Sequence, residues 1–156
     1  MMLRNSYPNL PEIPYKRTSV EMPLVVLFAK SLIGKYKKEH IAMAYAIFRN
    51  ESANGRLGVN NNYGGIQADC GVWTGLPGNP VATCVKIDSG NANRRFLCFG
   101  EDGYKISFEL FCIKARDRKM VTASDYFKSW VGKKNPTAQD TKNFTSLLNA
   151  GLKILA

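Results

Sequence analysis

Glu51 is the residue whose type and position best suit acid catalysis. It follows an apolar run, "IAMAYAIF" at 41–48, which continues as "RNESANG". On a helix, Glu51 lies four residues after Ile47 and three after Phe48, so these side chains share one face. Burial beside apolar side chains disfavours the charged form of a carboxyl group. We therefore expect Glu51 to keep its proton near neutral pH and to protonate an oxygen leaving group.

The competing interpretation is that Glu51 only marks the end of a helix. The helix dipole disfavours negative charge at a C-terminus, and a residue there often frays into solvent. The segment that follows, "NNNYGGIQ" at 60–67, is polar, aromatic and rich in glycine. Such a composition indicates a loop, and a loop beside a buried acid favours a ligand-binding cleft.

Two motifs in this region resemble a known superfamily. "E-S-x-x-G" at 51–55, followed by "N-N-Y-G-G-I-Q" at 61–67, resembles the lysozyme-like peptidoglycan hydrolases, especially flagellar-type glucosaminidases and soluble lytic transglycosylases. In those families the catalytic glutamate ends a helix in an "ES" dipeptide, and a loop then opens the β-lobe. "FLCFGEDGYKISF" at 96–108 is similar to the glucosaminidase pattern. The resemblance covers about residues 40–115 and implies that Glu51 is the general acid.

The resemblance leaves the second carboxylate open. Inverting glycosidases hold a base about 6.5–9.5 Å from the acid, and retaining ones hold a nucleophile at about 5–5.5 Å. Lytic transglycosylases manage with one glutamate because the substrate's own groups assist. We expect Asp69 to be the partner because it lies nearest to the motif. The other candidates are Asp88, Glu101 and Asp102.

Four further side chains are expected to bind the sugar. Tyr63 offers an aromatic face and a hydroxyl group, and Gln67 offers an amide. Trp73 lies in a glycine-rich segment and is expected to stack on a sugar ring. Tyr104 is expected to line the cleft, with core packing as the alternative.

The charge of the chain favours an anionic partner. The 156 residues carry a net charge of +10, which attracts cell-wall polymers, nucleic acids or acidic membranes. A nucleic-acid-binding or virion structural protein is therefore the alternative function, supported by Lys35, Lys37, Lys38 and "RDRK" at 116–119. These cations have no accompanying aromatic platform or binding motif. We expect peptidoglycan glycan strands as the partner, no nucleic acid and a monomeric enzyme.

The sequence also bears on location and cofactors. No stretch approaches the roughly 20 apolar residues that span a bilayer, and the N-terminus has no apolar signal-peptide core. We expect action at the bacterial cell wall, in the periplasm or at the cell surface, after delivery by a phage particle or another route. The chain has a single histidine and no C-x-x-C pair, so we expect no metal and no cofactor.

Hydrophobic periodicity and turn signals predict the helices and strands that position these residues. The order α-α-β-β-β-α-α-α predicts an α+β, lysozyme-like domain, with a mainly helical lobe, a small antiparallel β-lobe and a cleft between them. Residues 1–22 are expected to form an extended arm and 23–156 one catalytic domain. Helices are predicted at 24–38 and 39–51, and strands from 66 to 99.

Local signals refine this prediction. The helix at 24–38 is expected to carry Leu24, Leu27, Phe28 and Leu32 on one apolar face, with Lys30, Lys37 and Lys38 off that face. "TASD" at 122–125 and "TAQD" at 137–140 read as capping boxes, and Gly151 reads as a C-terminal cap.

Four cysteines lie at 70, 84, 98 and 112. A hairpin centred on Asn91 would place Cys84 directly opposite Cys98, within reach of a disulfide under oxidising conditions. The alternative is two small apolar strand residues with reduced thiols.

Overall fold

The computed structural model describes residues 3–87 and 93–156. Helices and two small antiparallel sheets share this part of the chain, which confirms the predicted α+β class. No helix within it is long and apolar enough to cross a membrane. In chain order the elements are β1 (Arg17–Thr18), α1 (Met22–Ser31), α2 (Lys38–Glu51), β2 (Gly58–Val59), β3 (Ala82–Ile87), β4 (Asn93–Cys98), α3 (Gly103–Asp117), α4 (Ala123–Asp125), a π-helix (Tyr126–Val131) and α5 (Ala138–Ile154).

Helix α2 is the centre of the helical core. Every residue from His40 to Phe48 is buried, and the helix packs against both α3 and α5. At Gly151 of α5, a Cβ atom would lie only 3.0 Å from the Cα atom of Ala42. Gly151 therefore permits close helix packing, and its prediction as a C-terminal cap is wrong because α5 continues to Ile154.

Helix α1 is shorter than predicted and buries a different face. It ends at Ser31 instead of residue 38, and Gly34 then adopts φ +97°, a left-handed conformation that ends the helical path. Val25 and Ala29 are fully buried. Of the predicted apolar face, Leu32 is buried and Phe28 packs against the core, whereas Leu24 and Leu27 are exposed. The core side of α1 is therefore centred on Val25 and Ala29 instead of on the two exposed leucines.

The capping boxes are confirmed at both positions. Thr122 Oγ1 accepts a hydrogen bond from the backbone N–H of Asp125, and the Asp125 carboxylate accepts one in return from the Thr122 N–H. Thr137 and Asp140 make the same reciprocal pair at the start of α5.

Strands β3 and β4 form the larger sheet, in a register different from the predicted one. Ala82 pairs with Cys98, and Cys84 pairs with Phe96. Cys84 and Cys98 are thus diagonal neighbours instead of directly opposed residues. Both are free, buried thiols in one small apolar cluster with Ala82. Both strands lie within the β region predicted from 66 to 99, which confirms its later part. Between residue 66 and the start of β3, the predicted strand structure is reduced to a bridge between Gln67 and Phe96.

The N-terminal segment packs along the β-structure. Its strand β1 pairs with β2 to form the second sheet. The Ile13 N–H donates to the Thr83 carbonyl at 2.8 Å, and the Thr83 N–H donates to the Pro11 carbonyl at 2.9 Å. Ser6 makes a similar backbone bond to Ala68 at 2.8 Å. These bonds fix the segment against β3 and the loop that precedes it.

Replacement of Gly103 by alanine tests how α3 meets the loop before the sheet. A Cβ atom at Gly103 would overlap the carbonyl oxygen of Asn61, so we expect Gly103→Ala to lower the free energy of unfolding by about 2 kcal/mol. Gly100→Ala is the control, because a Cβ there meets nothing within 4 Å. Urea denaturation measures both; equal stability of the two variants would contradict the packing described here.

Candidate functional site

Glu51 is the last residue of α2 and lies exposed at its C-terminus. The continuous burial of the helix stops at Phe48, nearly one turn earlier. The prediction that Glu51 lies against the apolar core is therefore wrong. Its carboxylate is instead held by a hydrogen bond: the Tyr126 hydroxyl donates to Glu51 Oε1 at 2.8 Å. Asn50 Nδ2 donates to the same hydroxyl oxygen at 2.9 Å.

Tyr126 is a rigid support for this carboxylate. It is the first residue of the π-helix, a rare form that often occurs at functional sites. The residue is 1% exposed, and its ring stacks on Phe144 with ring centroids 3.9 Å apart. Burial, together with the charge of Glu51 and the hydrogen bond to it, raises the pKa of Tyr126 above the ordinary tyrosine value. The hydroxyl therefore keeps its proton and remains a donor.

The "ESANG" segment turns the chain sharply after α2. Ser52 Oγ donates to the Phe48 carbonyl and accepts the Gly55 N–H at 3.0 Å, which satisfies polar groups at the helix end. Ala53, Asn54 and Gly55 all have positive φ angles, of 49°, 59° and 83°. The serine and glycine of the motif thus have a structural purpose, which is to end the helix just after Glu51.

The asparagines that open the next loop attach it to the N-terminal segment. Asn60 Oδ1 accepts the Lys16 N–H at 2.7 Å, and Asn60 Nδ2 donates to the Pro14 carbonyl at 3.0 Å. The Asn61 N–H donates to Thr18 Oγ1 at 2.9 Å. These bonds hold the backbone that precedes Arg17 and the side chain of Thr18 that follows it.

Asn62 fixes the remainder of the loop. Its Oδ1 accepts the Ile66 N–H at 3.1 Å, and its Nδ2 donates to the Leu97 carbonyl of β4 at 2.9 Å. The Tyr63 N–H donates to the buried Ser107 hydroxyl of α3 at 3.0 Å. The loop is therefore joined to both the sheet and the helical core.

A pocket of about 290 Å³ opens where the end of α2 meets these strands and the loop. Its charged lining residues are Glu51, Arg17 from β1 and Lys86 from β3. Asn62 and Tyr63 also line it. Elements far apart in the sequence thus bring one carboxylate and two cations to the same cavity.

Tyr63 is largely a core residue that reaches this pocket. The residue is 4% exposed, and its ring stacks on Phe48 with centroids 5.5 Å apart. Burial raises the pKa of Tyr63, and a hydrogen bond with Thr18 partly offsets that effect. The predicted sugar contact is thus limited to the small part of Tyr63 that faces the cavity.

Gln67 and Trp73 line a neighbouring pocket of about 270 Å³, which shares Gly65 with the Glu51 pocket. Trp73 Nε1 donates to the Gln67 carbonyl at 2.7 Å. Lys114 Nζ, which also lines this pocket, lies 5.5 Å from the centroid of the Trp73 ring. The structure therefore places these two predicted residues beside the Glu51 pocket.

Asp69 does not line the Glu51 pocket. It is 8% exposed, and its Oδ2 accepts the Arg95 N–H of β4 at 3.1 Å. This contact gives Asp69 a role in holding the loop to the sheet. Glu101 and Asp102 are exposed residues just before α3, and Asp88 lies outside the described residues. Within the described ranges, Glu51 is the single carboxylate that lines the pocket.

Tyr104 lies away from this site. It lines a separate groove beside α1 and meets Phe28 edge to face, with ring centroids 6.4 Å apart. The structure does not bring it together with Glu51.

Residues 3–87 and 93–156 contain no group of three or more metal-ligating side chains that could hold an ion.

Sequence reasoning missed Asn50 and Tyr126. Asn50 directly precedes Glu51, so its proximity was available from the chain. Tyr126 lies 75 residues from Glu51. In the sequence it is only an aromatic residue that directly follows the capping box at 122–125. Only the tertiary structure brings its hydroxyl to the carboxylate.

The chain matches no protein-family model, and neither a curated protein nor a solved structure is significantly similar to it. We therefore infer the function from the geometry of the Glu51 pocket and from the motifs of the sequence.

Tyr126→Phe tests the support of Glu51, because it keeps the stacked ring and removes the hydroxyl. We expect the free energy of unfolding to fall by about 1 kcal/mol at pH 7. Because the folded-state pKa of Tyr126 is raised, the stability contributed by its hydroxyl is fully present below about pH 10 and declines above it. The difference between wild type and variant should therefore narrow as the pH rises above 10.

Urea denaturation at a series of pH values measures this difference. Tyr104→Phe is the matched control, because the Tyr104 hydroxyl has no hydrogen-bond partner among the described residues; it should change stability by less than about 0.5 kcal/mol. A Tyr126→Phe difference that stays constant from pH 7 to pH 11 would contradict the assigned hydrogen bond.

Proposed function

We propose that this protein cleaves the β-1,4 glycosidic bonds of peptidoglycan glycan strands, with Glu51 as the general acid. The observation that carries the proposal is the Glu51 carboxylate, which ends α2 at a pocket and is held by Tyr126 at 2.8 Å. The motifs around it resemble those of lysozyme-like enzymes. In this proposal the fold is lysozyme-like, and the Glu51 pocket belongs to a cleft between its helical and β parts.

The hydrogen bond from Tyr126 gives the two carboxyl oxygens different tasks. Oε1 accepts the Tyr126 hydroxyl, and Oε2 has no hydrogen-bond partner among the described residues. In the proposed reaction Oε2 carries the proton and gives it to the glycosidic oxygen as the bond to C1 breaks. The leaving sugar departs as an alcohol, and positive charge develops on the remaining ring. In hydrolysis, water then adds to C1 and returns a proton to Glu51.

The charge of the protein supports an anionic polymer as the substrate. A net charge of +10 raises the rate of encounter with negatively charged cell walls at low ionic strength. We propose that the enzyme acts as a monomer at the bacterial cell wall. Gln67 and Trp73, in the adjoining pocket, would contact the next sugar along the strand, because the two cavities share Gly65.

A lytic transglycosylase is the second candidate, and one observation favours it. Within the described residues, Glu51 is the only carboxylate that lines the pocket, whereas a glycoside hydrolase usually uses two. In the transglycosylase reaction the substrate's own 6-hydroxyl group attacks C1 and transfers its proton to the Glu51 carboxylate. The product then ends in a 1,6-anhydro sugar instead of a reducing end.

Glu51→Gln tests the assigned acid, because the amide keeps the size of the side chain and cannot donate a carboxyl proton. We expect the rate of turbidity loss of purified cell walls to fall by about 10²- to 10⁴-fold. Glu39→Gln is the matched control, since Glu39 lies in the first turn of the same helix, and it should retain wild-type activity. Equal activity of wild type and Glu51→Gln would contradict the role of Glu51.

A further inference from the structure

We propose that Arg17 binds a carboxylate on the muramic acid branch of the glycan strand and so selects peptidoglycan over uncharged glucosamine polymers. The inference rests on the proposed function and deepens it, because it assigns a specificity-determining residue to the same pocket. Muramic acid differs from glucosamine by a lactyl ether. Its carboxyl group is either free or extended by a stem peptide that has carboxylates of its own.

The position of Arg17 is fixed by its own strand. Arg17 pairs with Val59 in the β1–β2 sheet, and both residues line the pocket that contains Glu51. Asn60 binds the backbone of Pro14 and Lys16, on the N-terminal side of Arg17. The backbone that presents Arg17 is thus held before a ligand arrives, which lowers the entropy lost on binding.

The side chain of Arg17 can reorganise toward a ligand. It is exposed, and its guanidinium carbon lies 5.6 Å from the centroid of the Tyr15 ring. No carboxylate within residues 3–87 and 93–156 forms an ion pair with it. A guanidinium in this state can bind a carboxylate through two parallel N–H···O bonds.

The free guanidinium of Arg17 points to an anionic ligand. Arg17 lines the pocket beside Glu51 and forms no ion pair with a carboxylate of the described residues. A polymer of N-acetylglucosamine is neutral and offers this guanidinium no carboxylate. A strand that contains muramic acid supplies a carboxylate in every disaccharide, which complements the lining. Arg17 acts here by binding substrate, whereas Glu51 carries the reacting proton.

The test measures binding by calorimetry in the Glu51→Gln background, where turnover is suppressed. The probes are chitotetraose, the (GlcNAc–MurNAc)₂ tetrasaccharide with free lactyl carboxylates, and the same tetrasaccharide with stem peptides attached. Arg17→Ala should weaken binding of the muramic acid ligands about 10- to 100-fold and leave the affinity for chitotetraose unchanged. A loss confined to the peptide-bearing ligand would support the inference and assign the carboxylate to the stem peptide.

Two control variants make the result specific. Arg17→Lys keeps the charge without the bidentate geometry and should recover part of the affinity. Lys16→Ala removes the neighbouring exposed cation, which does not line the pocket, and should bind like the parent.

Two results would overturn the inference while leaving the proposed function intact. One is unchanged binding of both muramic acid ligands by Arg17→Ala; the other is an equal loss for chitotetraose. No binding of any of the three oligosaccharides by the Glu51→Gln parent would overturn the inference together with the proposed function.

Discussion

The hydroxyl of Tyr126 connects the π-helix and α5 to the carboxylate at the end of α2, on which the proposed chemistry depends. The hydroxyl oxygen lies 2.8 Å from Glu51 Oε1. The Tyr126 ring stacks on Phe144 of α5, with the ring centroids 3.9 Å apart. Glu51 itself is exposed, so packing alone would leave its side chain free to rotate. A buried hydroxyl that keeps its proton supplies the missing constraint. The orientation of the Glu51 carboxylate is thus set by the helical core, although the carboxylate lies outside it.

On the other side of the pocket, side-chain amides replace regular sheet structure. The strands β1 and β2 have only two residues each, and such short strands satisfy few backbone groups. Asn60 and Asn62 complete the pattern by binding backbone groups of the N-terminal segment, the loop and β4. The polar loop is therefore a structural junction first. Its asparagines present Arg17 and Tyr63 to the cavity, while their own amides are occupied by the backbone.

Local signals predicted much of this fold, and long-range contacts account for the errors. The predicted start of α2 is correct to one residue, because an apolar period and a turn define it. Both capping boxes were predictable because each depends on only four adjacent residues. Helical phase placed Glu51 on the apolar stripe, but phase cannot show that the covering elements end near Phe48. The residues opposite Cys84 and Cys98 depend on where the hairpin turns. Composition does not fix the position of that turn to better than a residue or two. The partnership of Glu51 with Tyr126 spans 75 residues and has no local signature.

Mass spectrometry of the soluble products released from purified cell walls identifies the bond that the protein breaks. If Glu51 is the general acid of a glycan-strand cleavage, the products are muropeptides with intact stem peptides and newly formed glycan ends. These ends are reducing if water is the acceptor and 1,6-anhydro if the substrate's own hydroxyl is. The release should be lost when Glu51 is replaced by glutamine. Peptide fragments without cleaved glycan, or no release at all by the wild-type protein, would show that the protein does not cleave glycan strands.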